Sequence, residues 1–231
     1  MVSGRMQRYP RDYTEEELRE QAASIEKAVT LPVNVEVEAE HRVLDLSEVE
    51  KLLRGAKNMV LQDCGCRTDK RNCNSPLDTC VSLDVEDDYV ERYSQYHPRF
   101  VTVEEALDAL RRSHEAGLIH MAYVLKGSDK VSPICSCCPC CCHTLGGLTR
   151  FGISTKVLTS ELVAQDDDAK CIHCGKCIER CVFGARAMVY GEKRYDATRC
   201  FGCGLCVTTC PAHAIRLTER AQTEPSRLRT S

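Results

Sequence analysis

The chain has no tryptophan, and its aromatic residues amount to only 5% of 231 positions. This scarcity predicts a modest apolar core, because cysteine makes up much of the 43% hydrophobic content. The opening residues contain no long apolar run, so we expect neither a signal peptide nor a membrane span. The formal net charge is −3 without a basic patch, so no nucleic acid is expected as a partner.

Sequence signatures of several enzyme classes are also missing. There is no glycine-rich nucleotide fingerprint and no P-loop, and no pair of residues stands out as an acid and a base. Nucleotide phosphates and flavins therefore have no support as ligands.

Cysteine is what the chain has in excess, with 18 residues. Eight of them form two copies of the pattern C-x2-C-x2-C-x3-C, and the second copy repeats the first at an offset of 29 residues. The first copy consists of Cys171, Cys174, Cys177 and Cys181, and the second of Cys200, Cys203, Cys206 and Cys210.

This spacing suits a four-iron cluster. Three thiolates separated by two residues each can surround three irons of one cubane, whereas the fourth cysteine is better placed to bind the cluster of the other copy. Two zinc knuckles would leave the third cysteine of each copy without a role. The predicted crossed sets are Cys171, Cys174, Cys177 and Cys210 for one [4Fe–4S] cluster, and Cys200, Cys203, Cys206 and Cys181 for the other.

Thiolate ligands in this number indicate a reducing cytoplasm rather than a secreted, disulfide-bonded protein. Oxygen-sensitive clusters would suit an anaerobic cell.

Residues 166 to 218 resemble the bacterial-type two-cluster ferredoxins. The gap between the copies and Pro211 fit that family, whereas Val182 stands where the family usually has proline. The resemblance implies a ferredoxin-like fold and one-electron transfer.

The other ten cysteines form two groups in the sequence, and we expect the groups to converge on at least one further metal site. Four ligands from either group, or mixed sets, would serve one cubane. A structural zinc or a redox-active thiol pair are the alternatives. The first group is Cys64, Cys66, Cys73 and Cys80, and the second is Cys135, Cys137, Cys138, Cys140, Cys141 and Cys142.

The pairing of C-x-C-R with the later run I-C-S-C-C-P-C-C-C is similar to a group of poorly characterised 4Fe–4S-binding proteins of anaerobic bacteria and archaea. In that group a cysteine-rich domain precedes a two-cluster ferredoxin domain. The resemblance implies iron–sulfur redox chemistry and no specific reaction.

Hydrophobic periodicity predicts an α+β protein, in which a small α/β cysteine-rich domain is followed by the ferredoxin-like two-cluster domain. A helix is expected from Thr14 to Val29, and a capping box at Thr102 and Glu105 predicts another. The predicted parts are an N-terminal arm and helix (1–30), the cysteine-rich domain (31–147), a linker (148–165), the ferredoxin domain (166–218) and a disordered tail (219–231).

The function expected from these features is electron transfer. Single electrons would pass through two C-terminal [4Fe–4S] clusters and one or two further N-terminal iron–sulfur clusters, to or from a redox protein or a larger oxidoreductase complex. One alternative is an iron–sulfur reductase or activating enzyme with its substrate site at an N-terminal cluster, fed by the ferredoxin domain. Another is a factor that delivers clusters to other proteins.

Overall fold

The computed structural model describes residues 9–31, 37–39, 42–44, 47–127, 130–153, 157–158 and 160–220. The chain divides into two compact units. Unit 1 is Met1–Asn34 with Leu46–Leu158, and unit 2 is Val35–Asp45 with Thr159–Ser231. Both units mix helices with strands, and most strand pairs are antiparallel.

The strands in chain order are β1 Ile25–Leu31, β2 Val37–Ala39, β3 Arg42–Leu44, β4 Met59–Asp63, β5 Asp78–Leu83, β6 Arg99–Phe100, β7 Ile119–Leu125, β8 Val131–Cys137, β9 Val157–Leu158, β10 Leu162–Asp166, β11 Arg186–Val189, β12 Glu192–Tyr195 and β13 Ile215–Glu219. The helices are α1 Glu15–Ala23, α2 Ser47–Gly55, α3 Gly65–Lys70, α4 Tyr89–Arg92, α5 Val103–Glu115, α6 His143–Phe151, α7 Lys176–Glu179 and α8 Leu205–Thr208. Single 3-10 turns lie at Ser94–Tyr96 and Ala197–Arg199. No helix in these described ranges is long and apolar enough to cross a membrane.

Unit 1 is built on a seven-stranded sheet in the order β6-β4-β5-β8-β7-β1-β9. All neighbours are antiparallel except β1 and β9. Helices α2 and α5 cover one region of this sheet, where Leu53, Val81, Leu110 and Ile134 are fully buried. The apolar core therefore lies beside the strands that carry cysteines, β5 and β8.

The predicted capping box of α5 is confirmed. The Thr102 side chain accepts a hydrogen bond from the Glu105 amide at 3.2 Å, and Glu105 accepts one from the Thr102 amide at 2.9 Å. The helix ends at Glu115, close to Gly117, as the sequence predicts.

The first helix is shorter than predicted. Thr14 does cap α1, but the helix ends at Ala23, and the expected helical stripe at Ile25 and Val29 belongs to β1. β1 pairs antiparallel with β7. Branched side chains favour strands, and the open edge of β7 offers backbone partners, so tertiary pairing overrides the helical period.

Residues 9–13 of the predicted N-terminal arm contact other residues of unit 1. Asp12 forms an ion pair with Arg150, and the Tyr13 hydroxyl donates to the Cys141 carbonyl at 3.0 Å. Residues 1–8 lie outside the described residues, as do residues 32–36 and residues 221–231 of the predicted tail. Helix α6 crosses the predicted limit at residue 147, and β10 begins inside the predicted linker.

Unit 2 contains a four-stranded sheet in the order β10-β13-β2-β3 and a hairpin of β11 and β12. The sequence repeat is visible in the backbone. α7 follows Gly175 at φ 77° and α8 follows Gly204 at φ 78°, and each helix has four residues. The two cysteine motifs therefore fold as equivalent loops.

The tightest backbone contact in unit 2 predicts a stability effect. A Cβ at position 202 would lie 2.0 Å from Ser160 Oγ and 2.4 Å from the Leu162 carbonyl oxygen. Gly191→Ala is the matched control, because both glycines have positive φ but nothing lies within 4 Å of a Cβ at Gly191. The shared left-handed backbone costs each variant about 1–2 kcal/mol.

We expect Gly202→Ala to unfold at a clearly lower urea concentration than Gly191→Ala, followed by circular dichroism, because only the former adds a steric clash. Equal midpoints for the two variants would contradict this packing.

Candidate metal and cluster sites

Two cavities in unit 2 are each lined by four cysteines. Cavity A is bounded by Cys171, Cys174 and Cys177 of the first copy together with Cys210 of the second. Cavity B has Cys200, Cys203, Cys206 and, from the first copy, Cys181. Each set of four that the sequence predicts therefore shares one cavity, with one cysteine contributed by the other repeat.

The walls of the cavities are largely apolar. Cavity B is lined by Phe183, Leu205 and Leu217 besides its cysteines. Burial raises the pKa of Cys206 to about 12 and also raises that of Cys203. The thiols therefore hold their protons at neutral pH until a metal displaces them. Four sulfur donors in an apolar enclosure fit an iron–sulfur cluster, because thiolates are the ligands that such clusters take.

A buried cation lies between the two cavities. Arg186 makes two hydrogen bonds to Asp166, at 2.6 and 2.8 Å, and its charge also acts on Cys177 of cavity A and Cys206 of cavity B. Burial opposes ionisation of Asp166, but hydrogen bonds from Arg186 and Lys193 outweigh it and lower the carboxyl pKa. Positive charge is therefore fixed beside both sets of thiols.

In unit 1 the ten cysteines separate into two groups, of which the larger is a closed ring of six. Each thiol of this six-thiol ring is close enough to the next one to shift its pKa. In order around the ring they are Cys64, Cys66, Cys142, Cys137, Cys135 and Cys80, which returns to Cys64.

Local structure explains why these six side chains meet. Cys64 is the N-cap of α3, and Cys142 is the N-cap of α6, where its sulfur accepts from the Leu145 amide at 3.4 Å. Cys135 and Cys137 are two residues apart on β8, so both point to one face of the sheet. Strand β5 pairs with β8 and supplies the remaining strand cysteine.

The ring is enclosed and has few polar neighbours. The Tyr123 hydroxyl lies 3.6 Å from Cys137 Sγ and 4.0 Å from Cys142 Sγ. His143 Nδ1 lies 3.2 Å from Cys66 Sγ. Contact with Cys66 is the main cause that raises the pKa of Cys64 to about 12. Metal binding to the ring therefore has to release protons.

The remaining thiols form a compact group, the four-thiol site. Their sulfurs all lie within 4.8 Å of one another. The separation is 3.8 Å from Cys73 to Cys138, 3.9 Å from Cys73 to Cys141 and 3.8 Å from Cys140 to Cys141. The neighbouring Cys140 thiol is the main cause that lowers the pKa of Cys138.

Arg67 lies between the ring and the four-thiol site and is 1% exposed. It donates to the Pro76 carbonyl, to Thr79 Oγ1 at 3.0 Å and to the Ser136 carbonyl at 2.7 Å, and its charge acts on Cys138. Its charge acts on Cys64 of the ring. Among the residues that the structure describes, no carboxylate pairs with Arg67. Because burial of an uncompensated charge is costly, metal-bound thiolates at either site would provide its counter-charge.

The two groups of cysteines converge in space, as the sequence predicted, but neither site consists of cysteines from one sequence group alone. Cys73 joins three cysteines of the later run rather than Cys64, Cys66 and Cys80, so both sites are mixed sets. Arg67, the arginine of the C-x-C-R motif, is buried.

Two further residues beside the thiols were not found from the sequence. One sequence feature could have indicated Arg186, because the equivalent position of the second copy is the apolar Ile215. Tyr123 had none, because an aromatic residue within an apolar strand is ordinary.

Comparison with known proteins supports the predicted ferredoxin-like domain in unit 2. Residues 164–217 match the family model of the 4Fe-4S dicluster domain. No curated protein matches the chain. Together with the two four-cysteine cavities, the family match supports a ferredoxin-like domain that carries iron–sulfur clusters over residues 164–217.

Proposed function

We propose that the protein is an electron carrier with two [4Fe–4S] clusters in unit 2 and one further iron–sulfur cluster in the six-thiol ring of unit 1. The observation that carries the proposal is the pair of cavities, each lined by four cysteines in the crossed pattern, within the match to the 4Fe-4S dicluster domain. Clusters of this kind exchange single electrons.

The ligands proposed for the first cluster are Cys171, Cys174, Cys177 and Cys210, and those for the second are Cys200, Cys203, Cys206 and Cys181. The chain supplies the sulfurs, excludes water with apolar walls and places cations beside the thiolates. Each of these contributions sets the reduction potential, because charge, hydrogen bonds to sulfur and solvent exposure tune such clusters.

The dimensions of the ring favour a cluster over a single metal ion. Among the described residues, only the four-thiol site has three or more ligand atoms that all lie within 4.8 Å of one another. The ring thiols are therefore spread more widely than the ligands of one ion. A four-iron cluster holds its thiolates on the outside of a cube of iron and sulfide, and it needs four of the six sulfurs.

Cavity A offers a place for a redox partner to approach. Cys174 is exposed, and two apolar residues on the cavity wall, Ile172 and Met188, are 63% and 48% exposed. Exposed apolar side chains at a ligand cavity are typical of a contact surface. Electrons would pass there between the cluster and a partner protein.

Burial of the ring favours an electron carrier over an enzyme that activates a substrate there. Cys64, Cys80, Cys137 and Cys142 are all at most 6% exposed. A substrate would need access to an iron of the cluster, whereas the residues around the ring present apolar side chains and thiols. The reductase or activating enzyme remains the competing hypothesis.

Metal content tests the number of clusters. Anaerobically purified protein should contain about twelve irons and about twelve acid-labile sulfides per chain, the content of three cubanes. Reductive titration followed by electron paramagnetic resonance should show about one electron taken up per cluster. Eight irons would contradict a cluster in the ring, and turnover of a substrate by the reduced protein would favour the enzyme.

The lysine beside cavity A should tune one cluster selectively. Lys193 Nζ lies 3.6 Å from Cys171 Sγ, and its side chain is 10% exposed. In Lys193→Gln we expect the potential of the cavity A cluster to become more negative, because a cation near sulfur stabilises the reduced state. The control is Lys170→Gln, a 64% exposed lysine paired with Asp167.

Protein-film voltammetry measures these potentials. An equal shift in both variants, or a shift of the cavity B cluster alone, would show that Lys193 does not act on the thiolate beside it.

A further inference from the structure

The four-thiol site has the dimensions of a single tetrahedral ion. Zinc binds thiolate sulfur at about 2.3 Å, so the edge of a regular sulfur tetrahedron around it is about 3.8 Å. The three separations given above, 3.8, 3.9 and 3.8 Å, equal this edge to within 0.1 Å. Sulfurs so close together leave no room between them for a cube of four irons and four sulfides.

The chain around the site also matches a thiolate-bound ion. Cys138 and Cys141 have the C-x2-C spacing of a zinc knuckle. A backbone hydrogen bond closes the turn that holds these two cysteines, because the Cys142 amide donates to the Cys138 carbonyl at 3.0 Å. Arg67 adds a positive charge on the side facing Cys138.

All four positions of the tetrahedron are filled by protein. Cys138 and Cys141 are buried, and Cys73 and Cys140 are half-buried. A site with four protein ligands and no open position is structural rather than catalytic. Among divalent ions, four thiolates in tetrahedral geometry select zinc.

We propose that Cys73, Cys138, Cys140 and Cys141 bind one structural zinc ion, separate from any cluster in the ring. The zinc ties the segment after α3 to the turn between β8 and α6. The N-terminal segment packs on the same turn, because the Tyr13 hydroxyl donates to the Cys141 carbonyl and Asn72 Nδ2 donates to the Cys140 carbonyl at 3.0 Å. The proposal does not depend on the electron-transfer function.

The first test uses the wild-type chain with its clusters loaded. Anaerobically purified protein should contain about one zinc per chain, and X-ray absorption at the zinc edge should show four sulfurs at about 2.3 Å. Absence of zinc from protein produced with zinc in the medium would overturn the proposal. So would a shell containing nitrogen or oxygen.

Paired variants locate the ion. Cys73→Ser should lose the zinc and keep the iron content of the wild type, whereas Cys80→Ser, a change in the ring, should keep the zinc. Loss of about four irons in Cys73→Ser without loss of zinc would assign a cluster to this site, and loss of about one iron would assign a mononuclear iron. Either result overturns the proposal.

A spectroscopic measurement covers the case in which the serine variant does not fold. Cobalt in place of zinc in the otherwise wild-type chain should give thiolate-to-cobalt charge-transfer bands and the intense visible bands of a tetrahedral ion. Bands of an octahedral cobalt ion in that protein would overturn the site.

Discussion

The charge of Arg67 is the constraint around which unit 1 is organised. A guanidinium that is 1% exposed and has no carboxylate partner among the described residues needs negative charge nearby. The sulfurs of Cys138 and Cys64 face it from the four-thiol site and from the ring, and they would supply this charge as metal-bound thiolates. Without bound metals most of these thiols would be protonated, because contacts between thiols and burial raise their pKa values. Metals bound at the proposed sites would therefore stabilise the fold through this one cation.

In unit 2 a buried arginine is neutralised by a carboxylate instead. Arg186 also lies between two thiol sets, but Asp166 neutralises it through two hydrogen bonds. Clusters bound there would sit beside a cation and an anion, whereas a cluster in the ring would sit beside a cation that has no carboxylate partner among the described residues. Because positive charge favours the reduced form of a cluster, the ring would hold an electron more readily at otherwise equal exposure.

Features that depend on residues close together in the chain could be predicted from the sequence, whereas the pairing of strands distant in sequence could not. The repeat predicted how cysteines are shared between cavities A and B, and the capping box at Thr102 predicted α5, because both depend on residues close together in the chain. The strand at Ile25 was predicted as helix, since its partner β7 is distant in sequence. The division of the later cysteine run between two sites could not be predicted either. This division depends on where strand β8 ends, because Cys137 is its last residue and Cys138, just beyond it, packs with the cysteines of the four-thiol site.

That division has a consequence for how the metals are loaded. Cys135 and Cys137 belong to the ring, the next three cysteines belong to the four-thiol site, and Cys142 belongs to the ring again. The two sites are therefore joined directly by the peptide bonds Cys137–Cys138 and Cys141–Cys142. An ion in the four-thiol site would fix the backbone on both sides of these bonds, so less conformational entropy would be lost when a cluster binds the ring sulfurs at Cys137 and Cys142. Binding at either proposed site would thus favour binding at the other, through eight consecutive residues.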